Sequence, residues 1–177
     1  GSNALTVYGR TDQSSAAPVR TISGPDSGIN GPYDVAVAGS EIFAVNYTNS
    51  SVTVHGTTAT GNVTPTREIR GASTGLGGPT GIAVDTTHSE IVTVNAYANI
   101  YWHGISANGN VAYTRLITGC ENSAGCCPAN LHSPKGVAID MANDTAIYAS
   151  AGSNSIVVHQ RLSTGSPPTR MTNVIQP

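Results

Sequence analysis

The octapeptide Gly78-Pro79-Thr80-Gly81-Ile82-Ala83-Val84-Asp85 is stated three times in this chain. Gly31-Pro32-Tyr33-Asp34-Val35-Ala36-Val37 stands 47 residues before it, and Ser133-Pro134-Lys135-Gly136-Val137-Ala138-Ile139-Asp140 stands 55 after. Self-similarity at a period of about 40–50 residues marks a repeat architecture and decides the fold ahead of local propensity. Outward from each copy the same four apolar runs return. They lie at 35–37, 41–46, 52–55 and 66–69, then at 82–85, 90–95, 100–103 and 114–117, then at 137–140, 145–150, 156–159 and 169–172. Runs at 5–8 and 18–22 supply the last two of an earlier set. Short runs bounded by Gly, Pro, Asp, Asn and Ser read as strands and turns. Helical spacing over ten or more residues occurs nowhere. The chain is all-β.

Four short strands per repeat at this period are the signature of β-propeller blades. One small sheet has two apolar faces and cannot bury both alone; packing sheets face to face around an axis covers them. Val35, Val37, Ile82, Val84, Val137 and Ile139 fall on the innermost strands with only small residues between them, as crowding at an axis requires. The expected division is a half blade at 1–24 and blades at 31–71, 78–119 and 133–177, with an insert at 119–133. About three and a half blades make a partial ring, since closed rings start at about four. An open arc exposes apolar blade faces. The chain is therefore expected to be a fragment of a longer propeller, to associate with a second chain, or to stack; the fragment is favoured. The opening Gly1-Ser2-Asn3-Ala4-Leu5-Thr6-Val7-Tyr8 repeats the pattern of Gly152-Ser153-Asn154-Ser155-Ile156-Val157-Val158-His159. It reads as native repeat begun mid-unit, with any targeting signal expected upstream.

The succession Gly-Pro-x-Gly-Ile-Ala-Val-Asp, Ile-x-x-x-Asn, Ile-x-Val and Pro-x-Arg-x-Ile resembles an NHL-type propeller repeat over essentially the whole chain. Ala38 stands where the pattern has Asp, Asp34 where it has Gly, and Tyr113 where it has Pro.

Only 10% of residues are charged, with a formal charge of −2 and one lysine, Lys135, against about a quarter charged in an average domain. No charge run exists, so nucleic acid and anionic membrane surfaces are disfavoured as partners. No 18-residue apolar stretch exists to span a membrane. A surface kept soluble by hydroxyls and amides suits a secreted or periplasmic protein.

His55, His103 and His159 occupy equivalent repeat positions, with Tyr8 at the fourth. Equivalent positions of neighbouring blades lie far apart compared with metal bonds of about 2 Å, so packing between blades is expected rather than ligation. His88 and His132 receive no role. Arg20, Arg67, Arg115 and Arg170 are also in register; each guanidinium is expected to tie an outer strand to a carbonyl or carboxylate. Asp85 and Asp140 end innermost strands and are expected to close turns. The insert carries Cys120, Cys126 and Cys127, too few and wrongly spaced for a structural zinc site. A disulfide between Cys120 and Cys126 or Cys127 is expected, stapling a long loop in an oxidising compartment. Sequons begin at Asn46, Asn49, Asn62 and Asn143 and matter only in a glycosylating host.

No nucleophile elbow or phosphate loop is present, and neither a cofactor nor a metal is called for by these residues. The leading expectation is a non-catalytic module binding a protein, peptide or glycan through its loop face, where Tyr33, Asp34, Thr80 and Lys135 begin the innermost strands. One alternative is suggested by propellers similar to this one: a metal-dependent lyase or lactonase whose site lies in blades not present here. The other is a structural subunit that assembles through open blade edges. The reading leans away from an enzyme.

Overall fold

A computed structural model describes residues 3–118 and 131–161. β1 (Ala4–Val7) and β2 (Arg20–Ser23) form a two-stranded antiparallel sheet among the described residues. β3 (Pro32–Ala38), β4 (Glu41–Asn46), β5 (Ser51–Gly56) and β6 (Arg67–Arg70) form a four-stranded antiparallel sheet in chain order. β7 (Pro79–Asp85), β8 (Glu90–Asn95), β9 (Asn99–Gly104) and β10 (Arg115–Thr118) form a second. β11 (Pro134–Asp140), β12 (Thr145–Ser150) and β13 (Ser155–Gln160) form a third sheet. The run expected at 169–172 lies outside the described residues, as do Cys120, Cys126, Cys127 and most of the insert. β7 packs between β3 and β11, so the sheets succeed one another around an axis. The molecule is a partial β-propeller. Among the described residues no helix is long and apolar enough to cross a membrane.

Successive residues of a strand point to opposite faces, and in β4, β5, β8 and β9 both faces are buried. Phe43 and Val45 join Val54, Ile69, Ile82 and Ile91 in one inter-blade core, while Ile42 and Ala44 join Leu5 and Ile22 in another. The third core holds Val92, Val94, Trp102, Ala146 and Tyr148. Each link between blades contributes one apolar anchor: Ile29, Leu76 and Leu131. Burying such a side chain stabilises by about 1.5–3 kcal/mol, so each blade depends on its neighbours.

A second tie runs along the rim. The β5–β6 connection places Gly61 on the edge of β2, where Ser23 N–H donates to its carbonyl (3.1 Å) and its own N–H donates to Thr21 (2.7 Å). Gly109 repeats this on β6, with Arg70 and Glu68. The following asparagines reach one turn further. Asn62 Oδ1 accepts the Asp26 N–H (2.9 Å) and Asn110 Oδ1 the Ser73 N–H (2.8 Å). Both amides sit on short 3-10 turns, Pro25–Ser27 and Ala72–Thr74. The hook covers an outer edge that would otherwise invite strand addition.

β3, β7 and β11 start at their prolines, three residues earlier than the apolar runs. The cause is a bulge repeated in all three. Pro32 pairs with Asn46 and Asp34 with Val45, so Tyr33 is skipped; Thr80 and Lys135 are skipped in the same way.

The innermost strands approach so closely that β7 needs glycine at 81. A Cβ there would lie 3.0 Å from Gly136 Cα and from the Lys135 carbonyl. A Cβ at Gly136 itself meets nothing within 4 Å. Gly81→Ala is therefore expected to cost about 1–3 kcal/mol by overpacking, while Gly136→Ala stays within about 0.5 kcal/mol. Urea unfolding of the two variants measures the difference; equal costs would contradict the packing described.

Candidate functional site: the loop face of the first full blade

The bulges decide what the loop face presents, because the skipped residue is re-aimed out of the ladder. Tyr33 is exposed and its ring lies 5.7 Å from that of Tyr47, tilted by 36°. Tyr47 rests across the link to the next blade, where a Cβ on Gly78 would lie 2.9 Å from the Tyr47 ring. Lys135 is exposed. Thr80 is buried, its hydroxyl within reach of the carbonyls of Val94 (3.3 Å) and Pro134 (3.2 Å). Asp34 accepts the Val35 N–H (2.8 Å) and, from the next blade, the Ile82 N–H (3.0 Å). Of the four residues expected to line this face, Tyr33 and Lys135 are displayed, whereas Asp34 and Thr80 join innermost strands.

Beside the tyrosine pair lies a groove of about 840 Å³ that no sequence motif announces. It runs between the link 24–30 and β6. Ile69 points into the core, so Glu68 and Arg70, one step either side, line the groove with Asp26, Asn30 and Asn49. Among the described residues neither Glu68 nor Arg70 has a side-chain partner, while Asp26 Oδ2 accepts the Asn62 amide (2.7 Å). The β4–β5 turn carries both Tyr47 of the tyrosine pair and Asn49 of the groove lining. The only sequence signal for it was the alternation Arg67-Glu68-Ile69-Arg70, in which a charged pair flanks one apolar residue.

The residues in repeat register do structural work. His103 is buried with Nε2 3.0 Å from the Thr74 carbonyl; burial lowers its pKa more than that carbonyl raises it. Burial also lowers the pKa of His55, against a smaller opposite effect of the Ser27 backbone, although neither ring nitrogen reaches hydrogen-bond geometry. His159 meets Tyr148 edge-on at 5.7 Å. Tyr8, just past the end of β1, does not share this packing: it is 52% exposed, and among the described residues no sheet precedes β1 and β2.

Arg67 holds Glu41 in a forked pair (2.6 and 3.0 Å) and donates to the Ile105 carbonyl of the next blade (3.1 Å). Arg115 pairs with Glu90 and lies 4.8 Å over the Trp102 ring. Arg20 leaves a buried Nε without a partner, and Arg170 lies outside the described residues. Asp140 closes its turn on the N–H groups of Ala142 and Asn143. Asn46 is fully buried, with its amide on the Ala44 carbonyl and the Thr53 hydroxyl, so that sequon is closed to a glycan in the folded chain.

Asp85 closes a turn on the His88 N–H (3.0 Å) and does more than was expected of it. Arg161, 6% exposed, brings Nη1 within 3.2 Å of its carboxylate and also pairs with Glu90 and Asp144. Arg161 stands where Ile105 and Thr57 stand in earlier blades: its N–H bonds Asp144 as theirs bond Ser89 and Ser40. Among the described residues no three His, Cys, Asp or Glu are grouped to hold a metal ion.

No family model matches the chain, and no curated protein does. Solved structures match in fold. A hydrazine synthase of Kuenenia stuttgartiensis is 20% identical, covering 78% of this chain and 35% of that one, with a TM-score of 0.56. The WD40 β-propeller domain of Doa1 is 12% identical over 81% and 42%, with a TM-score of 0.51. A functionally unknown protein from Desulfotomaculum acetoxidans is 11% identical over 87% and 46%, with a TM-score of 0.56. This chain spans less than half the length of each, and at these identities the likeness is one of fold.

The Asp85 carboxyl tests the inter-blade charges. Burial raises its pKa, but the His88 N–H, the His88 ring and Arg161 together outweigh burial and hold it below the usual range. Its stabilisation is therefore complete above the unfolded value of about 3.9 and is lost as pH falls through the lower folded value. Urea titrations below about pH 4 are expected to show wild type losing stability more steeply than Asp85→Asn. Identical pH slopes would remove Asp85 as the source.

Proposed function

We propose that this chain is part of a non-catalytic propeller module that binds a peptide segment through the loop face of its first full blade. The groove carries the reading. Its amides match peptide N–H and C=O groups, and the unpaired Glu68 and Arg70 supply charge selectivity at low net charge. The Tyr33–Tyr47 pair favours a second reading, a glycan whose ring stacks on exposed aromatic faces. An NHL-type repeat and a secreted or periplasmic location belong to the same proposal, supported by the repeat motifs, the low charge and the cysteine-bearing insert.

Panels of unstructured peptides and of oligosaccharides, screened in parallel by surface plasmon resonance, test it. Glu68→Ala and Arg70→Ala are each expected to weaken a captured peptide by about tenfold or more, the worth of one charge-assisted hydrogen bond. Tyr33→Ala is expected to affect a glycan more than a peptide. A ligand indifferent to all three substitutions would place recognition elsewhere.

The proposal includes further blades. Val35 and Val37 are 48% and 63% exposed, whereas Ile82, the counterpart of Val35 one repeat later, is 3% exposed. Among the described residues β1 pairs only with β2, although its counterpart β5 has strands on both sides. Alone, the 177-residue chain is expected to self-associate with rising concentration in sedimentation velocity, and Val35→Ser with Val37→Ser to reduce this. A chain monomeric at all concentrations would argue against covering blades.

A further inference from the structure

The wedge between the second and third full blades departs from the two before it. At each wedge a residue of the second strand pairs across the ladder with the repeat histidine: Ile42 with His55, Ile91 with His103, Ala146 with His159. The two isoleucines are buried and fill their wedges. Alanine removes three carbon atoms from the same place, beside a cavity of about 210 Å³ whose described lining includes Trp102, Ile117, Ala146, Tyr148 and His159.

Two polar groups enter at the same wedge. Trp102 replaces Val54, and Tyr148 replaces Ala44 and Thr93, as the strand registers show. Both new side chains are buried, at 3% and 0% exposure. Among the described residues neither Trp102 Nε1 nor the Tyr148 hydroxyl has a hydrogen-bond partner. Leaving such a donor unmet costs about 1–3 kcal/mol, and native interiors rarely tolerate it. Among the described residues, packing accounts for neither the lost volume nor the two donors. Burial raises the Tyr148 pKa far above its ordinary value, so its O–H stays available to donate.

The walls define what could enter. Trp102, Tyr148, Leu116 and Ile117 make them apolar and aromatic. The two nearby cations are already matched: Arg115 by Glu90, and Arg161 by Asp85, Glu90 and Asp144. Among the described residues an anion would find no free charge there. We infer that this inter-blade cavity is a binding site for a small uncharged aromatic molecule carrying a hydrogen-bond acceptor, held by Trp102 Nε1–H and the Tyr148 hydroxyl. Size agrees, since a cavity of roughly 150 Å³ accepts benzene and this one is larger by about a carbonyl substituent. The site is separate from the loop-face groove and does not depend on it.

Trp102 is the only tryptophan of the chain, so its fluorescence reports the site directly. Acetophenone is the probe, and ethylbenzene is its counterpart without an acceptor. Acetophenone is expected to change Trp102 emission saturably and to bind at least about tenfold more tightly than ethylbenzene, the worth of one hydrogen bond. Ala146→Ile, which restores the residue of the two earlier blades, is expected to abolish binding while preserving the fold, checked by circular dichroism and thermal melting. Tyr148→Phe keeps the ring and is expected to narrow the preference for acetophenone. No saturation in wild type would mean that the cavity holds only water or is already filled. That outcome, or binding unchanged in folded Ala146→Ile, overturns the inference.

Discussion

Each blade has two apolar faces and no means of burying either by itself. Everything else in the molecule follows from that constraint. Phe43 and Val45 need the sheet that follows, Ile42 and Ala44 the one that precedes, and a link residue such as Ile29 or Leu76 closes each wedge. Stability is therefore a sum over neighbours rather than a property of one blade. Where no described strand covers them, apolar side chains come to the surface, as Val35 and Val37 do.

Polar ties set the spacing that these apolar contacts need. Near the axis, Asp34 bonds the Ile82 N–H and Gly81 admits the backbone of β11. At the rim, Gly61 and Gly109 extend the preceding sheet, and Asn62 and Asn110 cap its outgoing turn. Gly24 and Gly71 adopt φ of +119° and +131°, and a Cβ on either would strike the capping asparagine at 2.4 Å. Only glycine fits both the backbone conformation and the space. These ties consume most of the repeated polar residues. Among the described residues, Tyr33, Glu68, Arg70, Trp102 and Tyr148 stand outside these ties, where the repeat varies.

Much of the scaffold was legible because a repeat multiplies weak signals. One run such as Val52-Thr53-Val54-His55 is ambiguous between strand and buried helix; three in step are not. The structural roles of Arg67, Arg115, Asp140 and His103 were readable for the same reason, since a residue type that recurs at one place in most units serves what those units share. The groove was hidden because Asp26, Asn49, Glu68 and Arg70 come from three separate segments with no spacing between them to notice. Arg161 escaped because it stands out of register with the other arginines, and its carboxylate partners lie 17 to 76 positions away in the chain.

By itself the sequence determined the all-β class, the four-stranded unit, the order of blades and the small residues near the axis. These follow from period and alternation, which are properties of the chain as a line. Only the tertiary structure decided which side chains are displayed. Tyr33, Thr80 and Lys135 share a bulge and a motif position, yet Thr80 is sealed between blades while the other two face outward. Exposure depends on what the next sheet places opposite. The inter-blade cavity arises likewise, from Ala146 on one blade meeting Trp102 on another, a distance that sequence separation does not encode.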